Sequence, residues 1–214
     1  MVVVKRSIMT VYTSQDNVDD HRVRLVLAEK AIVNLEVVYV DPDNPPADLI
    51  ELNPELTTPT LVDRGDLILH GDIGVMTEYL DDRFPHPPLM PAYPVQRAKM
   101  KMMIKRIERD WYSLIHKLEE NHNDQDTKDQ LVASLLKVRS AFAEMPFFLS
   151  TDFTLVDCTV VPLLWRLNSF DIELPEAARP IIDYAERMFK RKSFQISLNE
   201  IEYDAQEVDE NESI

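Results

Sequence analysis

The sequence predicts an α/β domain followed by an all-helical one, and three observations predict it. Short apolar runs rich in β-branched residues alternate with helical patterns as far as residue 84, five prolines then fall between Phe84 and Pro94, and every periodic stretch beyond them has helical spacing.

The first strand spans Ile8 to Thr13, alternating around β-branched and aromatic residues. A helix follows, capped by Asp19 or Asp20, with Val23, Leu25, Val26, Leu27 and Ala28 on its apolar face as far as Lys30. Leu35 to Val40 reads as a second strand, broken by three prolines in the six residues from Asp41 to Pro46. A short helix around Leu49 to Leu52 stops at Asn53-Pro54, because the residue before proline disfavours helical dihedrals. Strands from Pro59 to Val62 and from Leu67 to His70 flank a turn at Arg64-Gly65-Asp66, and a helix runs from Asp72 to Arg83. The order β-α-β-α-β-β-α is a thioredoxin-like layout.

The domains are placed at 1–84 for the thioredoxin-like part, 85–94 for a proline-rich linker, 95–198 for an all-helical domain and 199–214 for an acidic tail. Helices are expected at 95–121, 125–143, 155–168 and 176–191. Thr154 and Asp157 have the spacing of a capping box, a stability device worth roughly 1 kcal/mol, and Leu164 and Trp165 on the same helix read as core. The tail carries seven acidic side chains and no basic ones, and reads as a frayed, solvated end.

Composition excludes several function classes. Among 214 residues, 38 are acidic and 23 basic, a net charge of −15 that repels nucleic-acid phosphate and anionic membrane. Three glycines cannot build a phosphate cradle, and the lone Cys158 allows neither an intramolecular disulfide nor a thiolate zinc site. His21, His70, His116 and His122 show no ligand spacing, so neither metal nor cofactor is expected. No apolar stretch reaches the length of a signal peptide or membrane span, and a cytoplasmic location is expected.

Several stretches carry a family resemblance: His21 to Lys30, Asp43 to Ile50, Pro59 to Arg64, Glu78 to Pro91 with its Pro-His-Pro-Pro run, Ile107 to Tyr112, and Phe153 to Leu167. On these residues the chain resembles the glutathione S-transferase superfamily over nearly its whole length, the acidic tail excepted. Within the superfamily it is most similar to a branch of starvation-response transcription regulators. The resemblance implies a thioredoxin-like domain with a cis proline at Pro59, where composition alone reads an ordinary turn proline. It also implies a protein that is not an enzyme and that contacts RNA polymerase holoenzyme with its primary sigma factor. The implied protein-binding residues are Pro85, His86, Pro87 and Tyr93. It implies a homodimer, or a heterodimer with a paralogous chain, with the helix containing Arg97, Lys99, Lys101, Lys105, Arg106 and Arg109 at the interface. By residue chemistry that basic run is a solvated helix face; with the implied interface on this helix, Met100, Met102 and Met103 would be core and interface packing.

The alternative is a glutathione S-transferase conjugating glutathione to small electrophiles. Relatives that use glutathione place a Tyr, Ser or Cys after the first strand and a Glu/Gln-Ser pair at the start of the helix after the fourth strand. Here Asn17 stands at the cysteine-type position, and Asp72-Ile73 stands where the acid-serine pair belongs, so the hydroxyl donor is missing. Tyr12 and Ser14 remain as hydroxyl candidates.

Overall fold

The computed structural model of the protein describes residues 8–64 and 67–198. The acidic tail, the opening residues and the tip of the turn at Gly65-Asp66 lie outside the described residues. The chain divides into two compact units, 1–87 together with 193–214, and 88–192.

In the first unit, β1 (Met9–Thr13), β2 (Leu35–Tyr39), β3 (Thr60–Asp63) and β4 (Leu67–Leu69) form a sheet in the order β2-β1-β3-β4. β1 pairs parallel with β2 and antiparallel with β3, with Val11 opposite both Val37 and Leu61. The pleat sends Tyr12 and Val62 to one face, where they pack with Leu49 of α2 (Ala47–Leu52) and with Val38, Leu52 and Leu56. Val11 and Leu61 point the other way and are fully buried.

The helix α1 (Val18–Lys30) is buried around nearly its whole circumference, charged residues included, and packs on α3 (Ile73–Arg83). Its cap is Asn17, whose side chain accepts from the backbone N–H of Asp19 at 2.7 Å and of Asp20 at 3.3 Å. This corrects the expectation of Asp19 or Asp20: Asn17 already has the extended backbone of a cap, and Asp20 is turned inward instead. Thr58-Pro59 is cis, as the family resemblance implied.

The last described helix, α9 (Lys192–Ser197), groups with the first unit from Ser193 onward, whereas the sequence assigned it to the helical domain. The reason is a set of bonds to α1. His21 Nε2 lies 3.0 Å from Ser197 Oγ, Arg24 Nε donates to the Ser197 carbonyl at 2.9 Å, Ser193 donates to the Glu29 carboxylate, and the Phe194 ring sits 5.3 Å from that of His21.

The second unit contains α4 (Pro94–Ile107), α5 (Ser113–Glu120), α6 (Gln125–Lys137), α7 (Leu155–Ser169) and α8 (Arg179–Phe189). α7 is mostly apolar and buried on nearly all sides as far as Leu167, contacting α4 and α8. The sequence read 95–121 as one helix, but a π-helical turn at Glu108–Tyr112 separates α4 from α5. That wider turn buries two adjacent aromatics against different helices, Trp111 donating to Ser134 Oγ at 3.0 Å and Tyr112 to the Thr159 carbonyl at 2.8 Å. Likewise α6 ends at Lys137 with a 3₁₀ turn after it, and α8 begins only at Arg179. Leu164 is buried, while Trp165 is half-buried with its ring 5.0 Å from that of Phe189. Among the described residues no helix is long and apolar enough to cross a membrane.

Candidate functional site

Two places in the first unit compete for function. The first is the end of the sheet where a glutathione enzyme would activate its thiol. Tyr12 is fully buried against Leu49 and Val62, so its phenol does not face a ligand in solvent. Ser14 is fixed at three points: its N–H and Oγ donate to the two oxygens of Asp20 at 3.0 and 2.9 Å, and its carbonyl accepts from Arg24 at 2.8 Å. A serine that lowers the pKa of a thiol must donate its one proton to sulfur, and here that proton points at a carboxylate.

Asp20 also accepts from Thr58 Oγ1 at 2.8 Å, which ties the loop after β1 to the residue preceding Pro59. Burial pushes the Asp20 carboxyl above the ordinary value, opposed by hydrogen bonds from Thr58, Thr13 and Ser14. Asn17 uses its amide oxygen as the α1 cap. Asp72 caps α3 through the Val75 N–H at 2.9 Å, and Ile73 brings an alkyl group to the next position. Of the groups the sequence offered here, Ser14, Asn17 and Asp72 are bonded within the fold and Ile73 brings hydrocarbon.

The second place is the proline-rich segment. Pro85, His86 and Pro87 are all exposed, and His86-Pro87 is cis. The segment follows α3, whose last turn is secured to β3: Tyr79 donates to Asp63 Oδ2 at 2.5 Å and Arg83 to the same oxygen at 3.2 Å. Lys30, at the end of α1, reaches Asp81 Oδ1 and the Pro87 carbonyl, each at 2.5 Å, and its side chain is fully buried. Pro85, His86 and Pro87 belong to the first unit and Tyr93 to the second, where Tyr93 is the N-cap residue of α4 and 64% exposed. In that unit Leu89 and Met90 are buried, and the Leu89 carbonyl accepts from the Leu155 N–H at 2.9 Å.

Sequence reasoning missed Lys30, Asp81 and Asp20. Their signal in the sequence is faint: Lys30 and Asp20 are two of six charges on a 13-residue helix, and nothing local names their partners. The capping box does form. Thr154 Oγ1 accepts from Val156 N–H at 3.2 Å and Asp157 Oδ2 accepts from Thr154 N–H at 2.9 Å. Among the described residues no group of three or more His, Cys, Asp or Glu side chains is arranged to hold a metal ion.

Two family models match the chain: glutathione S-transferase, N-terminal domain, over residues 21–83, and glutathione S-transferase, C-terminal domain, over residues 102–192. A stringent starvation protein A homolog from Coxiella burnetii is 45% identical over 209 residues, covering 96% of this chain and 99% of that protein. A second, from Haemophilus influenzae, is 46% identical and covers 92% of each chain. Glutathione transferase Omega 3C from Trametes versicolor shares the fold with a TM-score of 0.78 at 20% identity, covering 91% of this chain and 90% of its own. The chain therefore belongs to the glutathione S-transferase superfamily and, within it, to the stringent starvation protein A family.

Proposed function

We propose that the protein regulates transcription in the starvation or stress response by protein contact alone, binding RNA polymerase holoenzyme with its primary sigma factor, and that it does not conjugate glutathione. One observation carries the reading: Pro85, His86 and Pro87 form an exposed run tied down through the Pro87 carbonyl, while the Ser14 hydroxyl is turned into the fold. Proline fixes φ near −65° and restricts the residue before it, so this segment has little freedom left to lose when a partner binds. Tyr93 supplies an exposed aromatic of the kind that anchors protein interfaces.

The protein acts in the cytoplasm as a homodimer. Val95 and Met102 support this: they are seven residues apart on one face of α4, and they are 55% and 74% exposed. The experiment is direct binding of wild type and His86→Ala to holoenzyme carrying its primary sigma factor, with immobilised glutathione in parallel. Saturable holoenzyme binding that weakens in the variant supports the reading. Retention on glutathione with no polymerase affinity would replace it with an enzymatic one.

A further inference from the structure

Across Pro85, His86, Pro87 and Pro88 the main chain offers one N–H, that of His86, because proline has none. Such a segment has almost no main-chain donors with which to tie itself into a fold. Its carbonyls remain as acceptors, and a carbonyl is held by a donor from elsewhere. Lys30 is that donor. It approaches from the end of α1, its ammonium is fully buried, and it bridges the Asp81 carboxylate in the last turns of α3 and the Pro87 carbonyl.

The hydration a lysine loses on burial can exceed what its ion pair returns, and buried pairs are often no more stabilising than a well-packed apolar pair. Stability alone is thus a poor account of this arrangement. What the ion pair does specifically is fix an ammonium N–H in the direction of Pro87, with Asp81 as the countercharge that holds the lysine in place.

We infer that Lys30, oriented by Asp81, is the positioning residue of the docking segment, setting the path of Pro85-His86-Pro87 for its protein partner. The inference rests on the functional reading above and adds to it a residue that never touches the partner.

The test uses Lys30→Met combined with Asp81→Asn, which leaves no uncompensated buried charge. Lys30→Gln, one atom shorter and still able to meet Asp81, is the second variant should the first fail to fold. Affinity for holoenzyme with its primary sigma factor is measured for the wild type, for His86→Ala, for the clamp variant and for all changes together, alongside the NMR signals of the His86 imidazole and amide. The clamp variant is expected to stay folded, shift the His86 signals and lose about tenfold in affinity, which is about 1.4 kcal/mol. Adding His86→Ala to it should then cause much less further loss than it does in the wild type, because both changes act through one segment. Fully additive losses, or unshifted His86 signals, would overturn the inference. Should His86→Ala have no effect even in the wild-type background, the docking reading itself falls, and a positioning role toward that partner falls with it. A weakening by His86→Ala alone, with the clamp variant binding as wild type, sinks the inference and leaves the reading intact.

Discussion

Tyr184 donates its phenolic hydrogen to Asp157 Oδ1 at 2.7 Å, joining α8 to the first turn of α7 in the middle of the helical unit. Asp157 also accepts the Phe148 N–H at 2.8 Å, so one carboxylate closes the capping box, pins the preceding loop and fixes the next helix. Both groups are buried, and burial raises the Asp157 carboxyl while burial together with the Asp157 charge drives the Tyr184 phenol well above its ordinary range. Tyr184→Phe should lower the free energy of unfolding by about 1.5–3 kcal/mol, the range for a hydrogen bond to a charged group. Urea denaturation checks it, and a loss below about 0.5 kcal/mol would show that the carboxylate finds another donor.

The Asp20 carboxyl, raised by burial above its ordinary 3.8, gives a signed dependence on pH. Since the folded value lies above the unfolded one, the folded protein holds that proton longer. The stability it contributes is complete below the unfolded value and is lost as pH rises through the folded one. Asp20→Asn should therefore destabilise the protein more at about pH 3.5 than at pH 7. Thermal melts of both proteins across that interval decide it, and a penalty that grows with pH would reverse the assignment.

Ser14→Ala should act on the fold and not on glutathione. It removes the bond to Asp20 Oδ2, a loss of about 1 kcal/mol, and should leave conjugation of a chromogenic electrophile at the uncatalysed background in both proteins. Restoring a hydroxyl with Ile73→Ser should not create activity either, because the Ser14 proton stays directed at Asp20. Measurable turnover that appears with Ile73→Ser and vanishes with Ser14→Ala would establish an enzyme.

Phe194 is fully buried against His21, so Phe194→Ala should remove about 3–5 kcal/mol of stability. Hydrogen exchange should show the loss at α1, including its His21 and Arg24 amides, beyond what fraying of α9 alone would give. Unchanged protection of α1 would mean that α9 is only laid over a helix already held.

Much of the first unit was legible because its signals are local. The β-branched runs mark β1 and β3 and Asn53-Pro54 ends α2, and in the second unit the Thr154–Asp157 spacing caps α7 in the same local way. The buried charges of α1 were not legible, because their partners stand far away in sequence: Ser197 for His21 and Arg24, Asp81 and Pro87 for Lys30. The cap was misplaced for a related reason. Asn17, Asp19 and Asp20 are all capping types, and only the tertiary bonds from Ser14 and Thr58 decide that Asp20 turns inward. The π-helical turn was invisible since its cause, two neighbouring aromatics seeking different helices, has no periodic signature. At the candidate site the exposure of Pro85, His86 and Pro87 follows from composition, but the means of holding them does not.

The return of Ser193–Ser197 to the first unit makes that unit discontinuous in the chain. On a translating ribosome, Val18–Lys30 emerges more than 160 residues before the segment that covers it, an interval of roughly 8–33 s at about 5–20 residues per second. Throughout that time the helix keeps an uncovered flank where His21 and Arg24 await Ser197. The N-terminal part of this protein thus reaches its final form after the helical part between its two pieces has been made, and nascent chains stalled before residue 193 should present α1 to chaperones and proteases.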